Sequence, residues 1–139
     1  MRVRQVMSRS VEVVPTNASL ADAARIMRRK EIGFLPVVED GSVVGVVTDR
    51  DLVVRGMGEG RNPSLTAVAE VMTRALIWCY ADEVLTVAAE IMESNHIRRV
   101  LVLDMNKKLI GLLSLDDLAA KMSSDRLLGT IVRHVTEAA

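Results

Sequence analysis

The chain is written twice, and that constrains its fold more than any other feature. An offset of 65 residues pairs Val6-Met7 with Val71-Met72 and Arg9 with Arg74. It also pairs Leu20, Ala23, Ala24, Ile26 and Met27 with Leu85, Ala88, Ala89, Ile91 and Met92, then Ile32 with Ile97 and Val37 with Val102. Beyond that point the offset becomes 66, and Gly45, Asp51 and Leu52 meet Gly111, Asp117 and Leu118. The extra residue falls between "EDGS" and "DMNKK", where Asp40-Gly41 signals a tight hairpin and a longer tip absorbs an insertion. Self-similarity of this kind predicts two small halves of one design sharing a core.

Each copy reads as strand, helix, strand, strand, helix, an α/β pattern. The first strand spans about 11–14 and is matched at 76–79. The first helix runs over about 19–31, with Leu20, Ala23, Ala24 and Met27 at i, i+3, i+4 and i+7; Leu85, Ala88, Ala89 and Met92 repeat that stripe. Hairpin strands follow near 35–38 and 43–48, matched at 100–103 and 109–114. Short helices then start at Asp49 and Leu115. The first repeat is placed at 1–60, a linker at 61–67, just after the glycines of "GMGEG", and the second repeat at 68–123. An amphipathic C-terminal helix at 124–139 carries Leu127, Leu128, Ile131, Val132 and Val135 on one stripe. Small alanines on the helix stripes face the core of their own copy or continue into an interface with a second chain.

Aromatic residues are only 2% of the chain, so Val, Leu, Ile, Ala and Met must build the interior. Eighteen Lys plus Arg balance eighteen Asp plus Glu, which argues against a nucleic-acid or anionic-membrane partner. One cysteine, Cys79, excludes an internal disulfide and fits a reducing compartment. With no signal-peptide pattern and no run long enough to span a bilayer, the expected setting is the cytoplasm.

The chemistry gathers where each copy's last strand meets its helix. "GVVTDRD" (Gly45 to Asp51) and "GLLSLDD" (Gly111 to Asp117) share the form G-h-h-[TS]-x-x-D, with h apolar. The spacing of Thr48 and Asp51, and of Ser114 and Asp117, is that of a helix capping box, in which hydroxyl and carboxylate each accept a backbone N–H. The same geometry leaves N–H groups at a helix start and a carboxylate on the rim. Such a rim suits a phosphate and the two hydroxyls of a ribose diol. Local chemistry leaves both roles open.

Two β-α-β-β-α copies closing on this motif resemble a tandem pair of CBS domains, the Bateman module, from about Val3 to Met122. The segments "IGFLPVVED" and "IRRVLVLD" match as well, and the arrangement is similar to stand-alone bacterial CBS-pair proteins. The resemblance implies a pseudo-two-fold disc with two clefts for adenosine-containing ligands such as AMP, ADP, ATP or another adenosyl compound. It implies ribose contacts at Asp51 and Asp117 and phosphate or ribose contacts at Thr48 and Ser114. Basic residues that reach phosphate in the family correspond to Arg98 and Arg99 in the second copy, whereas the first copy has Gly33 and Phe34 there. The resemblance also implies that residues near Val11–Val13 and Leu76–Trp78 wall the adenine. A homodimer and a downstream protein partner are implied as well.

No nucleophile has a base at a readable spacing, and His96 and His134 stand apart from any metal-ligand cluster. "GMGEG" follows a helix rather than a strand and so fails the context of a dinucleotide fingerprint. The sequence therefore points to a non-enzymatic sensor of an adenine nucleotide, without a metal. The alternative is an interaction scaffold whose clefts stay empty.

Overall fold

The computed structural model describes residues 1–121 together with Gly129, Val132 and Arg133. Apart from those three residues, the C-terminal helix expected over 124–139 lies outside the described residues. The chain forms two compact units. One is Glu12–Leu76; the other joins Met1–Val11 to the described residues from Ile77 on.

The first unit contains β1 (Val14–Pro15), α1 (Leu20–Lys30), β2 (Phe34–Glu39), β3 (Ser42–Thr48) and a π-helix (Asp51–Gly56). The second contains β4 (Trp78–Tyr80), α2 (Leu85–Asn95), β5 (Arg99–Leu103), β6 (Leu109–Ser114) and α3 (Leu115–Lys121). The two sheets share one topology. β1 runs parallel to β2 and β2 antiparallel to β3; β4, β5 and β6 repeat this. The first strand of each sheet is shorter and starts later than its apolar run suggested. Val11–Val13 stay partly or wholly exposed, and pairing begins at Val14.

The hairpin tips account for the change of offset. Asp40 and Gly41 both adopt positive φ, 50° and 80°, as a two-residue primed turn requires. In the second copy Asp104 Oδ1 accepts the N–H groups of Asn106 and Lys108, and Lys107 takes the left-handed conformation. Val37 then pairs with Gly45, and Val102 with Gly111, one residue further along.

Local chemistry sets the helix ends. Ser19 Oγ accepts the Asp22 N–H at 3.0 Å and Asp22 answers at the Ser19 N–H, so α1 opens on a capping box. Glu31 and His96 close α1 and α2 in the left-handed conformation. Val84, at the start of α2, offers no side-chain cap. The Leu85 N–H donates instead to the Met1 carbonyl (2.9 Å), as the Leu20 N–H does to Thr66 (3.0 Å).

Those two carbonyls belong to matching segments that end in the repeated "VRQVMSR" (3–9) and "VAEVMTR" (68–74). Each makes a single 3₁₀ turn and then bridges the last strand of a sheet. Ser8 bridges Leu112, and Thr73 bridges Val46. The compact units are thus cut differently from the sequence repeats: residues 3–9 pack with β4–β6, and residues 68–74 pack with β1–β3.

Buried side chains form two clusters, one in each unit, where the sequence suggested one shared core. In the first unit Leu20, Ala23 and Met27 of α1 pack with Leu35, Val37 and Val47 and with Val68, Val71 and Met72. In the second, Leu85, Ala88, Ala89 and Met92 pack with Val100, Val102 and Leu113 and with Val3 and Met7. The stripes differ at one position: Ala89 is buried, whereas Ala24 is exposed. Among the described residues no helix is long and apolar enough to cross a membrane.

Candidate functional site

Both T-x-x-D-type motifs sit where their spacing put them, at the junction of a sheet's last strand with the following helix. In the first unit the Thr48 N–H donates to Asp51 Oδ2 at 3.0 Å, and the Asp51 N–H donates to Thr48 Oγ1 at 3.1 Å. In the second the Ser114 N–H donates to Asp117 Oδ2 at 2.8 Å, and the Asp117 N–H donates to Ser114 Oγ at 3.1 Å. The capping box is complete in both copies. Only one oxygen of each carboxylate is spent on it, and an ionised carboxylate has two. Capping and ligand binding are therefore compatible in one side chain.

The antiparallel registers bring the expected basic residues to the same place. Arg99 pairs directly with Ser114 across β5 and β6, and the Arg98 carbonyl accepts the Leu115 N–H at 2.7 Å. Arg98, Arg99, Ser114 and Asp117 thus share one end of the second sheet, and both arginines are exposed. The equivalent corner of the first unit places Phe34 opposite Thr48, with the Gly33 carbonyl accepting from the Asp49 N–H at 3.0 Å. A Cβ on Gly33 would lie 2.7 Å from Asp49 Oδ2, so the Asp49 carboxylate occupies space that a side chain at position 33 would need. The second copy has Leu115 in place of Asp49. One corner therefore carries two arginines where the other has Gly33 and Phe34, and the arginine corner's second acid is Asp116 instead of one at the Asp49 position.

A further residue joins the first corner that the motif alone did not single out. Arg55 Nη1 lies 3.9 Å from Asp51 Oδ1 and donates to the Met72 carbonyl at 3.3 Å. The i, i+4 spacing of Asp51 and Arg55 in "DRDLVVR" is the signal that marks it. Among the described residues Asp117 has no such ion pair; Lys121 stands four residues on, exposed.

The remaining candidates lie elsewhere or are occupied structurally. Cys79 is buried in β4, and burial pushes its thiol up to about 11, so it is a poor nucleophile at neutral pH. At the end of the second sheet away from Ser114, a cavity of about 240 Å³ is lined by Arg4, Tyr80, Asp82, Asp104 and Asn106. There Arg4 binds Asp82 at 2.7 Å and holds that carboxyl below its ordinary range. Among the described residues no three side chains of His, Cys, Asp or Glu gather as a metal site.

Comparison with known proteins bears on this geometry. Residues 3–57 and 68–124 each match the family model described as CBS domain. The CBS domain-containing protein YhcV of Bacillus subtilis is 33% identical over 134 residues, covering 96% of this chain and 94% of its own. The CBS domain pair of protein MJ0100 was solved in complex with 5′-methylthioadenosine and S-adenosyl-L-methionine. It superposes with a TM-score of 0.76 at 26% identity, over 86% of this chain and 94% of that one. Hypoxic Response Protein I, solved with two coordinated zinc ions, has a TM-score of 0.78 at 28% identity, over 88% and 99% of the respective chains.

Proposed function

The chain belongs to the CBS-domain family, and we propose that it is a non-enzymatic regulatory module that binds an adenosine-containing ligand at its strand-to-helix corners. The observation that carries this reading is the spare oxygen: Asp51 and Asp117 are each anchored through Oδ2, which leaves Oδ1 for a ligand hydroxyl. The adenosyl compounds bound to the CBS pair of MJ0100 supply the ligand class. In this reading Asp51 and Asp117 accept from the ribose diol, while Thr48 and Ser114 present a hydroxyl beside it. Arg98 and Arg99 give charge-assisted hydrogen bonds to phosphate. The protein acts on a downstream partner as a cytoplasmic homodimer. Exposed Val53, Val54 and Met57 supply apolar surface for the second copy.

Thermal unfolding with AMP, ADP, ATP, 5′-methylthioadenosine and S-adenosylmethionine tests the reading. A ligand that binds only the folded chain adds about 2.7 kcal/mol of stability at a hundredfold excess over Kd, which raises Tm by several degrees. No shift with any of the five would leave the scaffold reading, which the completed capping boxes favour. Light scattering at micromolar concentration checks the dimer.

A further inference from the structure

We propose that Arg55 is a specificity-determining residue that weakens the Asp51 corner for ribose, so that the two corners bind adenosine with different strength. The proposal rests on the reading of Asp51 and Asp117 as diol acceptors and adds the residue that sets them apart.

Asp51 is the more committed of the two acids. Its Oδ2 holds the Thr48 N–H, and its Oδ1 faces the Arg55 guanidinium at 3.9 Å. The Asp51 side chain is only 13% exposed, and the Arg55 guanidinium stands on the side of the oxygen that the capping box leaves free. Arg55 does not swing freely either, because the same Nη1 donates a hydrogen bond to the Met72 carbonyl at 3.3 Å. In the second corner Asp117 opens an ordinary α-helix, and Lys121 takes the place of Arg55 with a single flexible ammonium instead of a planar fork.

Magnitudes set the size of the effect. A half-exposed i, i+4 ion pair is worth only about a twofold factor. The bond to the Met72 carbonyl is long and half-exposed, so it counts as an ordinary hydrogen bond and adds a further factor of about two to ten. A ribose diol that displaces Arg55 therefore loses about tenfold in affinity relative to an unobstructed carboxylate. Arg55 does not abolish binding; it ranks the corners.

Calorimetric titration with adenosine, which carries the diol and no phosphate, tests this on the full chain. The native protein is expected to show two unequal sites, with Asp117→Asn removing the tighter and Asp51→Asn the weaker. Arg55→Met, which keeps an apolar stem, should tighten the weaker site about tenfold, and adding Asp51→Asn should cancel that gain. The converse variant Lys121→Arg should weaken the tighter site several-fold, which keeps the proposal testable if Arg55→Met folds poorly. Unchanged or weaker binding at the Asp51 corner in folded Arg55→Met overturns the role of Arg55 and leaves the adenosine reading intact. Absence of adenosine binding in the native chain and every variant overturns the adenosine reading and this proposal with it.

Discussion

Asp51 and Asp117 each do two things that separate variants can distinguish. Oδ2 closes a capping box, and an amide oxygen still accepts that bond, so Asp→Asn should cost no more than about 1 kcal/mol of stability per site. Losing an ionised acceptor from the ribose is a larger change, about ten- to a hundredfold in affinity. Titration of Asp51→Asn, Asp117→Asn and the double variant separates the two effects, and unchanged affinity in all three would leave capping as the whole role of the motif. Replacing both Arg98 and Arg99 with Ala should weaken AMP far more than adenosine, because only AMP carries a phosphate for them to bind. Equal losses for the two ligands would show that the arginines do not read it. Cys79 gives a pH prediction. Its pKa is raised from 9.0 to about 11 in the fold by burial, so the folded chain holds the proton more tightly than the unfolded one. That contribution is complete below pH 9 and is lost as the pH rises through 11. A thiol reagent at pH 8 should label Cys79 only after denaturation.

At the scale of elements, the glycine of each motif has a packing reason that the motif does not reveal. A Cβ on Gly45 would meet Met72 Sδ at 2.7 Å and the Thr73 carbonyl at 2.8 Å; one on Gly111 would meet Met7 Sδ at 2.5 Å and the Ser8 carbonyl at 3.0 Å. The crossing segments lie directly on these positions. A methionine tail can rotate away, but a bridged carbonyl cannot without breaking the Val46–Thr73 or Ser8–Leu112 pairing. Gly45→Ala should therefore cost about 1–3 kcal/mol, and trimming Met72 to Ala should fail to restore it. Denaturant unfolding of the single and double variants measures this. Full recovery in the double variant would locate the clash in the sulfur instead of the backbone.

For the whole molecule, the first residues of the chain support the unit that comes last in sequence. Val3 is fully buried and Met7 nearly so, both in the cluster of α2, β5 and β6, and the Met1 carbonyl caps α2. Deleting residues 1–9 removes two core side chains, worth about 3–6 kcal/mol together, and leaves the Leu85 N–H without that partner. Amide exchange should then show protection falling in β4–β6 and α2 while β1–β3 keep theirs. Loss confined to β1–β3 would contradict the crossed packing.

What the sequence determined by itself is what short-range geometry controls. The i, i+3 spacing of Thr48 and Asp51, and of Ser114 and Asp117, sufficed for the capping boxes, because a helix start places those groups within reach whatever surrounds them. The hairpin at Asp40-Gly41, the helix stripes and the one-residue change of offset were legible for the same reason. Proximity of Arg99 to Ser114 followed once the hairpin register was known. What only the tertiary structure decided depends on how distant segments cross. "VRQVMSR" and "VAEVMTR" are nearly the same string, and nothing within either tells which sheet it joins. Ala24 and Ala89 occupy equivalent stripe positions, yet one is exposed and the other buried, because burial depends on neighbours far away in sequence. Arg55 owes its place beside Asp51 to the i, i+4 spacing and to a carbonyl seventeen residues on. Its spacing was visible in the sequence; its second anchor arose only when the segment carrying Met72 packed against β3.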